Sequence, residues 1–125
     1  MKIKILCLLL TVTSFGFSQT DTDIYLFDFI QGDSILVIDN PINISDNKGY
    51  DNQPSFLNDG SGVLYASTRN EQTDIALYDI KNNVNVWLTN TEANEYSPIQ
   101  TFDKNYFTAV RLDQDGEQLL WKYKF

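Results

Sequence analysis

Apolar residues along this 125-residue chain occur in short runs in which apolar and polar positions alternate. The run 24–29 places Tyr25, Phe27 and Phe29 on one face of a strand, because side chains two residues apart point the same way. The run 121–125 alternates in the same manner, with aromatic residues at the odd positions and lysines between them. After residue 18, no stretch keeps apolar residues at helical spacing for three turns. The pattern therefore predicts an all-β protein.

The strand-like runs belong to a longer repeat. The segment from Pro54 to Ile80 recurs, less clearly, from Pro98 to Phe125, with an offset of 44 residues at its start and 45 at its end. A third, shorter copy at 22–29 lies 51 residues before its counterpart. Repeats of this length, built from short strands, are typical of β-propeller blades. The aromatic face keeps its phase in all three copies, although a slip of one residue would turn it over.

Turn residues divide the copies into individual strands. The strands predicted in the first two copies lie at about 23–29, 34–39, 53–57, 62–68, 73–80 and 84–90. The last copy adds three more. The prediction is an incomplete β-propeller of about two four-stranded antiparallel blades, with fragments at about 22–40, 50–90 and 95–125. Because a ring needs roughly four to eight blades, we expect the missing blades to come from the rest of a longer protein.

The first 18 residues have the order of a secretory signal peptide. Lys2 and Lys4 form a positive head, an apolar run follows from 5 to 12, and small residues flank a cleavage point after Ser18. The apolar run is too short to span a bilayer. The alternative is a buried N-terminal strand or helix. The signal predicts a mature domain of residues 19–125 that is periplasmic or secreted.

Loss of this segment changes the formal charge from −8 to −10, since it removes two lysines and no acidic residue. Such a charge argues against nucleic-acid binding, which requires Lys and Arg to replace counterions at phosphates. The remaining residues include neither histidine nor cysteine. The commonest general base, the usual zinc ligands and a thiolate nucleophile are therefore missing, and disulfides cannot form.

Polar residues stand at equivalent places just before the inner strand of two copies. We expect these approaches to border the central opening of a propeller, where acidic and amide groups can bind a cation, a basic peptide or a sugar. The candidate ligand-binding residues are Tyr50, Asp51, Asn52, Gln53, Asn94, Glu95 and Tyr96. The alternative is that they cap strands and form the turn between blades, since loops are polar by default.

Three other features are interpreted structurally. The acidic segment 113–117 lacks the spacing of a calcium-binding loop and is typical of a hairpin between strands. Arg69 is expected in an ion pair near a strand end. Aromatic residues that could stack on sugars are expected to pack between neighbouring blades instead, and these are Phe56, Tyr65, Trp87, Phe107 and Trp121.

The middle repeat resembles the TolB-type, WD-like β-propeller repeat of exported bacterial proteins. The matching elements are Pro54-Ser55-Phe56, Asn58-Asp59-Gly60, Val63 to Ser67 with Arg69, Asp74-Ile75 with Tyr78-Asp79, and Leu88-Thr89. The chain departs from the pattern at Asn58, where proline is usual, and at Lys104, where glycine is usual. TolB proteins carry an α/β domain before the propeller, and the space between residue 18 and the first repeat does not hold one.

The resemblance implies a propeller that presents binding residues on a rigid scaffold. From it we expect a non-catalytic module that binds a protein or peptide at the cell envelope, with no cofactor, no metal and no catalytic residue of its own. The alternative is the propeller portion of a larger hydrolase or polysaccharide-degrading enzyme, with catalytic residues beyond residue 125. One scaffold hosts many activities, so the fold alone does not decide between them.

Overall fold

The structure, a computed structural model, describes residues 21–32 and 34–125. Within them, nine strands form three antiparallel sheets. The strands are β1 (Tyr25–Gln31), β2 (Leu36–Asn43), β3 (Asp51–Phe56), β4 (Gly62–Arg69), β5 (Gln72–Asp79), β6 (Val84–Trp87), β7 (Asn94–Gln100), β8 (Tyr106–Leu112) and β9 (Gln118–Lys124). The first sheet contains β1 and β2, the middle sheet β3 to β6 in order, and the third sheet β7 to β9 in order. The all-β class and the incomplete propeller are confirmed.

The middle and third sheets repeat one register. Val63 of β4 pairs with Tyr78 of β5, and Phe107 of β8 pairs with Tyr123 of β9. The first members of these pairs are 44 residues apart and the second members 45 apart. The offset read from the sequence is therefore also the offset between equivalent backbone positions.

Each inner strand contains a bulge at the same place. The register shifts after Asn52 in β3 and after Tyr96 in β7, and the next residues, Gln53 and Ser97, have φ angles of +56° and +51°. Pro54 and Pro98 follow the bulges, where a missing N–H breaks no ladder bond. Because pairing continues before the bulge, β3 starts at Asp51, two residues before the predicted start at about 53.

Two apolar clusters cover opposite faces of the middle sheet. The cluster toward the first sheet contains Ile24, Ile44, Val63, Tyr65, Ala76 and Tyr78. The cluster toward the third sheet contains Leu64, Ala66, Ile75, Phe107 and Ala109. Successive residues of β4 alternate between the clusters, as the pleat requires. The three sheets thus stack face against face, each a blade fragment beside the next.

The strand β2 continues past its predicted stop. Asn40 and Pro41 commonly end a strand and predict that β2 stops at about 39, whereas the strand runs to Asn43. Asn40 has a φ angle of +52°, and the register shifts between Leu26 and Asp28 on the opposite strand. A bulge therefore accommodates Asn40 and Pro41 within the strand, and pairing with β1 resumes beyond them.

The aromatic residues divide between the interior and the surface. Tyr65 and Phe107 are buried in the two clusters and Trp87 is half-buried, as predicted. The prediction is wrong for Phe56 and Trp121, which are 58% and 41% exposed. Phe56 pairs with Val63 on the face toward the first sheet, and the described part of that sheet has no inner strand to cover it.

The predicted signal peptide, residues 1–18, lies outside the described residues. Over the ranges that the structure covers, no helix is long and apolar enough to cross a membrane. Three sheets fall short of a closed ring. The source of the remaining blades therefore stays a prediction.

Candidate functional site

The seven predicted site residues lie on or directly before the two inner strands. Asp51, Asn52 and Gln53 belong to β3, and residues 94–96 begin β7, so these side chains are held by sheet pairing instead of a preceding loop. Tyr50 forms an isolated parallel bridge with Thr22. The sequence placed these residues just before the inner strands, whereas most of them lie within β3 and β7. Backbone pairing continues on the N-terminal side of each bulge and fixes these residues.

Asp51 is buried at the contact between the first and middle sheets, with 2% of its surface exposed. The Asn47 amide donates to both of its carboxylate oxygens, at 3.1 and 3.2 Å, and also to the hydroxyl of Ser67 at 3.0 Å. The Asp51 N–H donates to the carbonyl of Thr22, and the Thr22 hydroxyl donates to the carbonyl of Asp51. These bonds hold Asp51 in the interior and leave little of its hydrogen-bonding capacity for a ligand.

Glu95 occupies the equivalent position between the middle and third sheets and is fully buried. The hydroxyl of Thr91 donates to its Oε1 at 2.5 Å, and the hydroxyl of Tyr123 lies 3.3 Å from the same oxygen. Burial raises the pKa of Glu95, the two threonine hydroxyl bonds oppose the rise, and the nearby Asp74 carboxylate adds to it. Burial, together with the charge of Glu95, also raises the pKa of Tyr123 to about 12.

The Thr89 hydroxyl links the two buried carboxyl groups. It lies 3.2 Å from Asp74 Oδ1 and 3.2 Å from Glu95 Oε2, and it accepts the N–H of Ile75 at 2.8 Å. A hydroxyl carries one hydrogen, so it can donate to only one carboxylate at a time. A proton on Glu95 supplies the missing donor and removes the repulsion between the two groups. The cluster is therefore suited to holding one proton between two sheets.

The more accessible candidates and Ser97, which was not predicted, form a small polar surface, which we call the inner-strand rim: Tyr50, Asn52, Gln53 and Ser97. The first three are half-buried and Ser97 is exposed. The side-chain amide of Asn52 donates to the Tyr50 hydroxyl at 2.8 Å, and the side-chain carbonyl of Asn52 accepts the N–H of Gln53 at 2.7 Å. The Gln53 side-chain carbonyl accepts the Ser97 N–H at 2.8 Å, which joins the two bulges. The rim thus has fixed amide and hydroxyl groups that remain partly open to solvent.

The last two predicted residues have structural contacts. The side-chain carbonyl of Asn94 accepts the N–H of Thr73 at 2.8 Å and so ties the third sheet to the middle one. Tyr96 is half-buried and packs against the cluster that contains Phe107. The structure therefore joins Tyr50, Asn52 and Gln53 in one surface, but it uses the other four mainly between sheets.

Sequence reasoning did not assign a role to the threonine and aspartate that hold Glu95. Thr89 and Asp74 both belong to motifs of the repeat, and Ser45 takes the place of Thr89 one blade earlier. The Ser45 hydroxyl accepts the N–H of Ile24 at 3.0 Å, just as Thr89 accepts that of Ile75. The sequence signal that could have identified this role is the recurrence of a hydroxyl residue after an aliphatic one, at Ile44-Ser45 and at Leu88-Thr89.

The remaining sequence features have local roles. Residues 113–117 form the predicted hairpin turn, in which the Asp113 N–H donates to the carbonyl of Glu117 and the Gly116 N–H donates to the carbonyl of Asp113. Arg69 does not form the ion pair expected of it in the described residues, and its guanidinium lies 3.4 Å from the ring centre of Trp87. Among the described residues, no group of three or more His, Cys, Asp or Glu side chains is placed to hold a metal ion.

The fold was also compared with known proteins. No family model and no curated protein matches the chain. A solved structure assigned as TolB from Agrobacterium tumefaciens matches 90% of this chain and 36% of its own, with a TM-score of 0.66 and 20% sequence identity. At this identity the likeness concerns the fold, and the chain spans only about a third of that structure. The chain therefore has the fold of part of a TolB-like β-propeller.

Proposed function

We propose that the chain is part of an exported β-propeller that binds a protein or peptide at the cell envelope without catalysing a reaction. The inner-strand rim supports this proposal best. It combines amide and hydroxyl groups with a backbone fixed by the Gln53–Ser97 bond, and such groups match the donors and acceptors of a peptide backbone. A rigid scaffold that carries partly open polar groups lowers the entropy lost on binding. The periplasmic or secreted location is part of the proposal and rests on the N-terminal sequence.

The test uses the tagged chain as bait in an envelope extract of the source cells, with Asn52→Asp as the rim variant. This change keeps an oxygen that can accept the Gln53 N–H and replaces the amide donor with an oxygen that carries negative charge. Gln114→Glu is the matched control, because it makes the same chemical change in an exposed turn. We expect Asn52→Asp to weaken capture about tenfold, equivalent to one hydrogen bond of about 1.4 kcal/mol. Equal capture by all three proteins would contradict a rim-based function.

A further inference from the structure

A cavity of about 460 Å³ opens at one end of the middle sheet, apart from the inner-strand rim. It lies between the hairpin that joins β4 to β5 and the segment that follows β6. Its volume is in the range of small-molecule sites. We call it the Arg69 cavity, and the residues that give it its chemistry are Arg69, Asn70, Asp74, Trp87, Thr89 and Asn90. None of them belongs to the rim, so the cavity is a separate candidate site.

Arg69 brings to this cavity a guanidinium group that is held in place but has no polar partner among the described residues. Its central carbon lies 3.4 Å from the ring centre of Trp87, so the group rests on the indole face. Arg69 pairs with Gln72 across a two-residue hairpin turn, which fixes the end of the strand. No described residue accepts a hydrogen bond from the guanidinium or forms an ion pair with it. Its forked N–H groups, whose geometry matches a carboxylate, are therefore available to a ligand.

A second arginine shows the contact that Arg69 lacks. The guanidinium of Arg111 lies 4.5 Å from the ring centre of Trp121, and two of its nitrogens lie 2.8 and 2.9 Å from Asp113 Oδ1. Asp113 follows Arg69 by 44 residues, which is the offset of the repeat. The third sheet thus supplies its own carboxylate to an arginine beside an indole, whereas the middle sheet has the arginine itself at the equivalent position. A carboxylate that enters the Arg69 cavity would make the same contact.

Asp74 brings the opposite charge to the same cavity, and it is 8% exposed. The Thr89 hydroxyl lies 3.2 Å from its Oδ1, and the Thr91 N–H donates to the same oxygen at 3.3 Å. No described residue donates to Oδ2. This oxygen is not enclosed, because every enclosed side-chain nitrogen or oxygen in the described ranges has a hydrogen-bond partner. Asp74 and Arg69 do not pair with each other, so the cavity contains a cation and an anion that can each bind a ligand.

Two separate opposite charges in one cavity match a ligand that carries both charges. An α-amino acid has a carboxylate, which accepts from a guanidinium, and an ammonium group, which donates to a carboxylate. It has no net charge, whereas a simple anion is repelled by a chain with a formal charge of −8. The carboxamides of Asn70 and Asn90 add neutral donors and acceptors at the edge of the cavity.

We propose that the Arg69 cavity binds a small zwitterion of the α-amino acid type, with its carboxylate on the guanidinium of Arg69 and its ammonium group on Asp74 Oδ2. This site goes beyond peptide binding at the inner-strand rim and does not depend on it.

The first test is isothermal titration calorimetry of the purified chain with the standard amino acids, one at a time. We expect at least one of them to bind, with one molecule per chain. Its methyl ester, which lacks the carboxylate charge, and its N-acetyl derivative, which lacks the ammonium charge, should each bind about tenfold more weakly or worse. Binding by none of the amino acids, or equal binding of either derivative, would overturn the proposal.

The second test places the ligand at Arg69 by substitution. Arg69→Gln removes the guanidinium from an exposed side chain and should raise the dissociation constant of the best-bound amino acid about tenfold or more. Arg111→Gln is the matched control, because it removes the other arginine that lies on an indole, and Arg111 already binds Asp113. Circular dichroism and the Tm without amino acid establish that both variants are folded. An unchanged affinity in Arg69→Gln, or an equal loss in Arg111→Gln, would overturn the proposal.

Discussion

At the scale of single residues, buried charge is concentrated where one sheet meets the next. Asp51 and Glu95 occupy equivalent positions, yet their surroundings differ. Asn47 donates twice to Asp51, whereas Glu95 shares the single hydroxyl hydrogen of Thr89 with Asp74. Burial raises the pKa of Glu95 and so favours its protonated form. The stability of the contact between the middle and third sheets should therefore depend on pH.

Glu95→Gln tests this balance. Because the pKa of Glu95 is raised above 4.5 on folding, the folded state holds a proton that the unfolded state has lost, and stability falls as the pH rises through that interval. The amide mimics the protonated acid and removes this dependence. We expect the difference in Tm, variant minus wild type, to be larger at pH 7 than at pH 4. The same difference in Tm at both pH values would contradict the assignment.

Gly49 is a second residue whose role follows from its immediate surroundings. Its φ angle is +137°, and a Cβ atom there would collide with the backbone carbonyl oxygen of Thr68. We expect Gly49→Ala to lower the free energy of unfolding by about 3 kcal/mol, as strain and collision add. Gly116→Ala is the control, because its φ angle of +88° imposes strain in open space, and it should cost about 1 kcal/mol. Equal losses of unfolding free energy for the two variants, measured by chemical denaturation, would show that the contact between residue 49 and the Thr68 carbonyl oxygen is unimportant.

At the scale of elements, the hydroxyl of Thr89, which follows the outer strand of the middle sheet, links that sheet to the third one. Thr89 accepts the N–H of Ile75 from β5 and donates to a buried carboxylate. Thr89→Val keeps the shape and leaves the Ile75 N–H without a partner, so we expect a loss of about 1–3 kcal/mol in the free energy of unfolding. Thr89→Ser retains the hydroxyl and should cost less than half as much. Similar losses for both variants would assign the effect to packing instead.

The elements also show where sequence reasoning succeeds. Alternation, the repeat and the turn residues sufficed to place nine strands, because the period of the pleat and the chemistry of turns are local properties. The bulges at Gln53 and Ser97 were missed, since a positive φ at glutamine or serine has no compositional signature. The burial of Asp51 and Glu95 was missed as well, because it depends on a neighbouring sheet that local sequence does not specify.

At the scale of the whole molecule, the middle sheet is the interior layer and depends on cover from both sides. Phe107 is fully buried at one of these contacts, so Phe107→Ala should lower the free energy of unfolding by about 3–5 kcal/mol. Phe102 is fully exposed in the loop before β8, and Phe102→Ala should change it by less than about 0.5 kcal/mol. Denaturation followed by tryptophan fluorescence measures both. A small effect at Phe107 would mean that the sheets do not pack as described.

The account depends most on the claim that successive segments are copies of one sheet turned about a common axis. A crystal structure tests it directly, by superposing residues 51–79 on 95–124. We predict that the strands overlay, that the Gln53 bulge falls on the Ser97 bulge, and that the same rotation carries the first sheet toward the middle one. Sheets that fail to overlay, or that are related by rotations about unrelated axes, would contradict the account.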